Sequence, residues 1–459
     1  MRRTNFLFPG KTTLAALAFA ALLHAADAST LTVNSSADSG GTCPGADCSL
    51  RQAILVATSG DTLAFQIPTS DPGYNVGTGA FTIGLTSNEL AIGKDLTIDG
   101  GGQKIVIART AGTFRIFNIT AGIVNLTNLT IANGKQSSGA GIANQSSLTL
   151  RNCTLYGNNT GGGAFGGAIA SSGSLQVSNC TFTANTADPG GSAIFTGTGD
   201  TTIDNSTIFS NTGNSAVLRF GSGTVRVRNT IIVGNPSADV SGTFISDGYN
   251  LIGTTSAGGS GFGSTGDKVG VTPSQVNLGP LQDNGGPTNT MAPKTASIAL
   301  DQGHSGGVTT DQRGDPRPVH RTTATNVPGD FSDIGAVEIG LSQFPNSGAN
   351  LTVTNTAEHN EHDCRVDECT LAEAIEVGSF ITANGGLGPV TIHFAPGVSG
   401  VISNTTVPTG LNISAALTII GPGARALQVT GGGLNRIFNI TAAGAPVNVS
   451  GLSLTDGKA

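Results

Sequence analysis

The chain is 459 residues long, with a mass of 45.7 kDa and a formal net charge of −7. Glycine accounts for 68 residues, about twice the usual ~7%, and charged residues make up 11%, against ~25% in an ordinary globular domain. These values exclude a disordered polyelectrolyte, a collagen and a nucleic-acid binder, which need high charge, a Gly-x-y period and a basic footprint respectively.

The first 28 residues read as a secretory signal. Arg2, Arg3 and Lys11 form a basic region, Leu14 to Leu23 is an apolar run, and Ala26-Asp27-Ala28 supplies a small-x-small cleavage pattern. The run is about ten residues, too short for ~30 Å of hydrocarbon. Export is therefore expected, and the six cysteines suit an oxidising destination. Cys43 with Cys48, and Cys364 with Cys369, lack the CxxC spacing of zinc sites. A local disulfide is expected in each pair.

From about residue 123 to 235 one pattern recurs: LTNLTIANG from Leu126, LTLRNCTLYGN from Leu148, LQVSNCTFTAN from Leu175, TTIDNSTIFSN from Thr201 and VRVRNTIIVGN from Val225. The lead asparagines are Asn128, Asn152, Asn179, Asn205 and Asn229, spaced 24, 27, 26 and 24 residues apart. Each repeat also carries a turn of small residues ending in an aliphatic one, as in Gly139–Ile142, Gly166–Ile169, Gly191–Ile194 and Asn214–Val217. This period, with short β-type runs, is one coil of a parallel β-helix. Leu148 and Leu150 alternate at period two, then Cys153 and Leu155 take the opposite parity, which puts a corner at Asn152. Equivalent asparagines then stack at ~4.8 Å, where their amides form a ladder. Cys153 and Cys180 fall at equivalent inward positions. Buried thiols packed as small apolar groups are expected there, with a disulfide as the alternative. Helical repeats are excluded, because glycine at this density costs about 1 kcal/mol per helical site.

An irregular segment follows, and then a second copy of the beginning. Cys48-Ser49-Leu50-Arg51-Gln52-Ala53-Ile54 recurs as Cys369-Thr370-Leu371-Ala372-Glu373-Ala374-Ile375, and Arg115–Thr120 recurs as Arg436–Thr441, both at an offset of 321. The expected organisation is a signal at 1–28, an N-terminal cap and first coils at 29–122 and regular coils at 123–240. A closing segment at 241–340, a linker at 341–350 and an incomplete second copy at 351–459 follow. The second copy is expected to break off at Ala459.

Residues 48–54, preceded by Leu31-Thr32-Val33 and Cys43, resemble the CSLREA domain that begins exported bacterial β-helix proteins, with Gln52 in place of Glu. Gly166–Ile169 and Phe182–Asn185 resemble the GGAI and FxxN elements of polymorphic outer-membrane protein repeats. The blocks Gly248–Gly253, Leu281–Thr288, Thr310–Gly314 and Asp333–Glu338 resemble the choice-of-anchor Q domain. The resemblance implies an all-β, right-handed parallel β-helix of the pectin-lyase-like type, its second copy truncated. It also implies a place outside the cell or at the bacterial surface, held by an anchor beyond Ala459. Membrane association is expected only through that anchor.

Two function classes remain. One is a non-enzymatic surface or secreted β-helix with a structural, adhesive or interaction role, whose partners are surface glycans or host or neighbour cell-surface proteins. The other is a polysaccharide-active enzyme, a polyuronate lyase or glycoside hydrolase. A lyase needs clustered carboxylates and a base, and a glycosidase needs paired carboxylates. The coils from 123 to 235 hold only Asp188, Asp200 and Asp204, with Arg226 and Arg228 placed one coil on to pair with Asp204. The densest charge is Asp311-Gln312-Arg313-Gly314-Asp315-Pro316-Arg317, with Asp301, Asp333 and Glu338 nearby. Its oxygen-rich turns suit Ca²⁺. The reading favoured is that Arg313 and Arg317 pair with the carboxylates, Asp311 and Glu338 among them, to tie the closing segment onto the last coil. A divalent metal is the functional reading of His359–Asp363, and an exposed polar loop the structural one. His304 and His320 lack partners at ligand spacing. No catalytic residue and no cofactor is assigned.

Overall fold

The computed structural model describes residues 28–256, 258–294, 297–319, 329–339, 350–357, 364, 369–384, 390–404, 410–442 and 444–458. Residues 1–27, expected to belong to a signal, His320, and His359–Asp363 lie outside the described residues.

Three sheets of nine, ten and seven strands run along the first copy, parallel apart from the antiparallel pairing of Tyr74–Asn75 with Ala80–Leu85. A single coil shows how the residues produce them. Ser147–Arg151 lies in the nine-stranded sheet, Asn152 turns the corner, Thr154–Tyr156 lies in the ten-stranded sheet, and Ile169–Ser171 lies in the seven-stranded sheet. Leu148, Leu150, Cys153, Leu155 and Ile169 all point inward and are fully buried. Each stacks in register on its counterparts, so that Leu150 pairs with Leu126 and Val177, and Ile169 with Ile142 and Ile194. Each such burial contributes about 1.5–3 kcal/mol. The ladders cross residues 122 and 240 without a break, from Thr30–Val33 to Lys268–Val269.

The corner explains the choice of asparagine. Asn128, Asn152, Asn179, Asn205 and Asn229 all have φ between 47° and 56°. That left-handed conformation costs most residues about 1–2 kcal/mol, and asparagine tolerates it through local hydrogen bonding.

Helix α1, Leu50–Val56, closes the first end of the stack. Ser49 caps it by accepting the N–H of Gln52, and Leu50, Ala53 and Ile54 cover the core. The Cys43–Cys48 disulfide, with a Cα separation of 4.8 Å, precedes it. Arg51 donates to Asp38 and to the carbonyls of Asn88 and Glu89, which stitches the cap to the first coils. At the far end stands the short helix α2, Pro273–Val276, with Val276 packed among Ile231, Val233 and Leu251.

The second copy repeats the plan. Helix α3, Leu371–Asn384, follows the Cys364–Cys369 disulfide, and parallel strands from Asn350–Val353 onward enclose a separate core. Ala372 stands where the first copy has Arg51. Glu373 Oε2 instead accepts the N–H of Thr370, whose hydroxyl accepts the N–H of Glu373.

Candidate functional site

Polar side chains line the stack in three columns. In the corner column, Asn128 donates to Asp99 at 2.8 Å, Asn152 to Asn128 at 3.1 Å and Asn179 to Asn152 at 3.3 Å. Asn229 donates to Asn205 at 2.7 Å, but Asn205 turns to the carbonyl of Ser305. The ladder is therefore interrupted between Asn179 and Asn205.

A second column lies wholly inside and comes from the other asparagine of each repeat. Asn158 donates to Asn185, Asn185 to Asn211, Asn211 to Asn235, and Asn235 to Asp239, at 2.9, 2.8, 3.0 and 2.7 Å. All five are buried. The repeat pattern places a ladder only at the corner, so this column is an addition to it. Its signal is present in the sequence, since Asn158, Asn185, Asn211 and Asn235 recur as regularly as the lead asparagines.

The third column holds Cys153 and Cys180, which are free, buried and packed in the core as expected, and adds a hydrogen-bonding role to them. Cys153 N–H donates to Cys180 Sγ, Cys180 N–H to Ser206 Oγ, Ser206 N–H to Thr230 Oγ1, and Thr230 N–H to Asn250 Oδ1. Both thiols are free and buried, and each donates at 3.2 Å to the carbonyl two residues back, the same acceptor that Ser206 and Thr230 use. The cysteines thus stand in a hydroxyl position. Burial and the neighbouring Cys153 push the Cys180 thiol up.

The charged set closes on itself. Asp311 Oδ2 accepts from Arg313 Nε at 2.8 Å and from the N–H of Glu338, while Oδ1 accepts the N–H groups of Arg313 and Asp315. Arg317 Nε donates to Glu338 Oε2 at 2.9 Å, with both side chains fully buried. Glu338 also accepts the N–H groups of Val319 and Asp333. Burial, reinforced by the Asp333 carboxylate and opposed by Arg317, pushes Glu338 up to about 8. Asp333 accepts the N–H groups of Asp301 and Ile339.

These contacts do not tie the segment to the last coil alone, as the charge pattern suggested. After α2 the chain doubles back as an antiparallel hairpin, Leu278 pairing with Pro293 and Gln282 with Thr290, and its Asp283 forms an ion pair with Lys104. Thr288 Oγ1 then donates to Asn152 O, and Asn179 Nδ2 to Thr310 O. Asn205 donates to Ser305 O, and Asn229 Nδ2 to Asp333 O. The segment lies lengthwise across successive coils, and its carbonyls serve the corner asparagines. Gln312 is the central peg. It accepts from Thr181 Oγ1 at 2.7 Å and donates to Thr154 Oγ1, Thr288 Oγ1 and Cys153 O. Gly286, with φ of +75°, lets the hairpin tip sit against Arg313, where a Cβ would come within 2.6 Å of its Cα.

Arg228 pairs with Asp204 at 3.4 Å, but Arg226 turns away to Asp247 one coil further on. Burial pushes Asp204 up, against the pull of Arg228. The His304 ring lies against Tyr249 in a tilted contact with centroids 5.5 Å apart, and its Nδ1 accepts the N–H of Gly306. An aromatic group unnoticed in the sequence, Phe165, Phe195 and Phe220, has ring centroids 4.8–6.0 Å apart, with Phe220 72% exposed. Among the described residues no group of three or more metal-ligating side chains comes together.

Stacked parallel coils with inward aliphatic columns define a parallel β-helix. Residues 83–263 match the family model described as the right handed beta helix region. No curated protein matches the chain. Among solved structures the chain is similar to pectate lyase Pel9A, at 14% identity and a TM-score of 0.31, over 68% of this chain and 97% of that one. It is also similar to the PL6 family alginate lyase AlyGC, at 12% identity and a TM-score of 0.16, over 94% of this chain and 72% of that one.

Proposed function

We propose that this is an exported, non-catalytic β-helix that works at or beyond the cell surface as a structural, adhesive or interaction module. The observation that carries this reading is the fate of its densest charge. Asp311, Arg313, Arg317 and Glu338 are turned inward on one another and on main-chain groups, so they lock the returning segment and offer little to a substrate. The two local disulfides support an oxidising destination. The outward column Thr97, Asn125, Thr149, Gln176, Thr202 of the nine-stranded sheet supplies a periodic hydroxyl and amide face. The exposed Phe220 cluster adds an apolar contact point.

A polysaccharide-active enzyme is the second reading, favoured by one place. Lys104, Asp283 and Tyr156 line an open groove, where an amine, a carboxylate and a phenol come together. One experiment separates the two. The secreted full chain is tested for retention on cells and glycan surfaces, and incubated with polygalacturonate and alginate while unsaturated products are followed by ultraviolet absorbance. Retention without product is expected. Product whose rate collapses in Lys104→Ala overturns the non-catalytic reading.

A further inference from the structure

On its outer side the ten-stranded sheet presents one column in register: Thr82, Val106, Thr130, Thr154, Thr181 and Thr207. The returning segment covers half of it, and each covered threonine meets a polypeptide group. Thr154 Oγ1 donates to the main-chain carbonyl of Asn289 at 2.6 Å, Thr181 Oγ1 donates to the Gln312 amide, and Thr207 Oγ1 accepts the main-chain N–H of Ala336.

The other half is not covered by the returning segment, and Thr82 and Val106 are half-buried there. Thr82, Val106 and Thr130 floor a groove of about 550 Å³, within the ~300–1,000 Å³ typical of ligand clefts. Its walls are the turn at Asn75–Thr78 and the hairpin residues Asp283–Asn289. We propose that this groove docks an extended, uncharged polar segment of another polypeptide, laid along the coils in continuation of the hairpin 278–293.

Three features select this occupant. The groove continues an interface the protein already makes with its own chain, and the same column of residues supplies the floor. The covered threonines show what that column takes: carbonyls, N–H groups and side-chain amides. Lys104 is neutralised by Asp283, so a charged ligand must first break that pair, whereas a neutral one need not. Thr82 to Thr130 is two coil spacings of ~4.8 Å, which accommodates about three residues of extended chain at ~3.3 Å per residue. The inference rests on the interaction reading above and names its partner class.

The test is selection of phage-displayed random decapeptides on the immobilised full-length protein. Bound peptides are then remeasured on Thr82→Lys, Val106→Lys and, as a control on another sheet, Gln176→Lys. Melting temperatures are recorded for all three, and only variants that melt within a few degrees of the parent are compared. Peptides rich in Ser, Thr, Asn and Gln are expected, with affinity at least about tenfold lower in either groove variant and unchanged in Gln176→Lys. Failure to select any peptide that responds to both groove variants overturns the proposal. If neutral oligosaccharides such as cellotetraose show that dependence and peptides do not, the polypeptide assignment falls while the interaction reading stands. Release of unsaturated uronate that depends on Lys104 overturns both.

Discussion

Asn235 gives both its main-chain N–H and its side-chain amide to one oxygen of Asp239, at 2.9 and 2.7 Å. The inner column of amides, each donating to the next coil, therefore terminates on a carboxylate rather than on another amide. A head-to-tail chain of amides polarises along its length and is well ended by a strong acceptor. Burial pushes Asp239 up, and the donors from Asn235 and Thr254 oppose that rise.

The inner column is expected to matter more than the corner column. Asn185→Ala removes the acceptor for Asn158 N–H and Nδ2 and the donor to Leu155 O, all buried. At about 1–3 kcal/mol per orphaned group, a loss of more than about 3 kcal/mol is expected. Asn152→Ala, at a half-buried corner, should cost about 1–2 kcal/mol, mainly from its positive φ. Denaturant unfolding of both variants checks the order, and a milder effect at Asn185 would refute it.

Cys180 holds a hydroxyl position, so Cys180→Ser should be nearly neutral. Cys180→Val, one methyl bulkier, leaves the N–H of Cys153 without its acceptor, and should cost about 1–3 kcal/mol. Thiol titration should find Cys153 and Cys180 unreactive until the protein unfolds. Rapid labelling of the native protein would contradict their placement.

Glu338 should make stability depend on pH. Its folded value of about 8 lies above the ordinary 4.5, so its contribution is whole below pH 4.5 and is lost as pH rises through 8. Every tenfold difference in proton affinity between the folded and unfolded chain corresponds to about 1.4 kcal/mol. Asp38 has the opposite sign. Burial would raise it, but the N–H of Thr86 with Arg51 and Ser87 brings it down to about 2, so its contribution is present above 3.8 and lost as pH falls through 2. Thermal melting from pH 4.5 to beyond 8 should show a falling midpoint, flattened in Glu338→Gln. Parallel slopes in the two proteins would remove Glu338 as the cause.

Arg317→Ala removes the partner of the buried Glu338 carboxyl, and above pH 8, where that carboxyl is ionised, breaking the pair should cost about 3–5 kcal/mol. Because the pair pins the returning segment, hydrogen exchange should accelerate first at the N–H groups of Gly303, Gln312 and Gly335, ahead of the coil ladders. Arg226→Ala, at an exposed pair, should change stability by about 1 kcal/mol or less. Uniform acceleration through the coils would show that the segment and the stack unfold as one.

Much of this architecture is legible in the residues themselves. The period of the lead asparagines, the parity slip between Leu150 and Cys153 and the spacing of Cys43 and Cys48 are local properties, and local rules place the corner, the inward columns and the disulfide. The low charge and the glycine-rich turns follow from one repeated coil. Three things were decided only in three dimensions. The inner asparagines and the hydroxyl position of the cysteines depend on which group the next coil sets opposite. The course of residues 277–294, 297–319 and 329–339 depends on contacts such as Gln312 with Thr181 and Asp283 with Lys104, which join residues 131 and 179 positions apart. No periodicity encodes such a pairing. It arises because the corner asparagines and outward threonines of a solenoid need hydrogen-bond partners that the repeat itself does not contain.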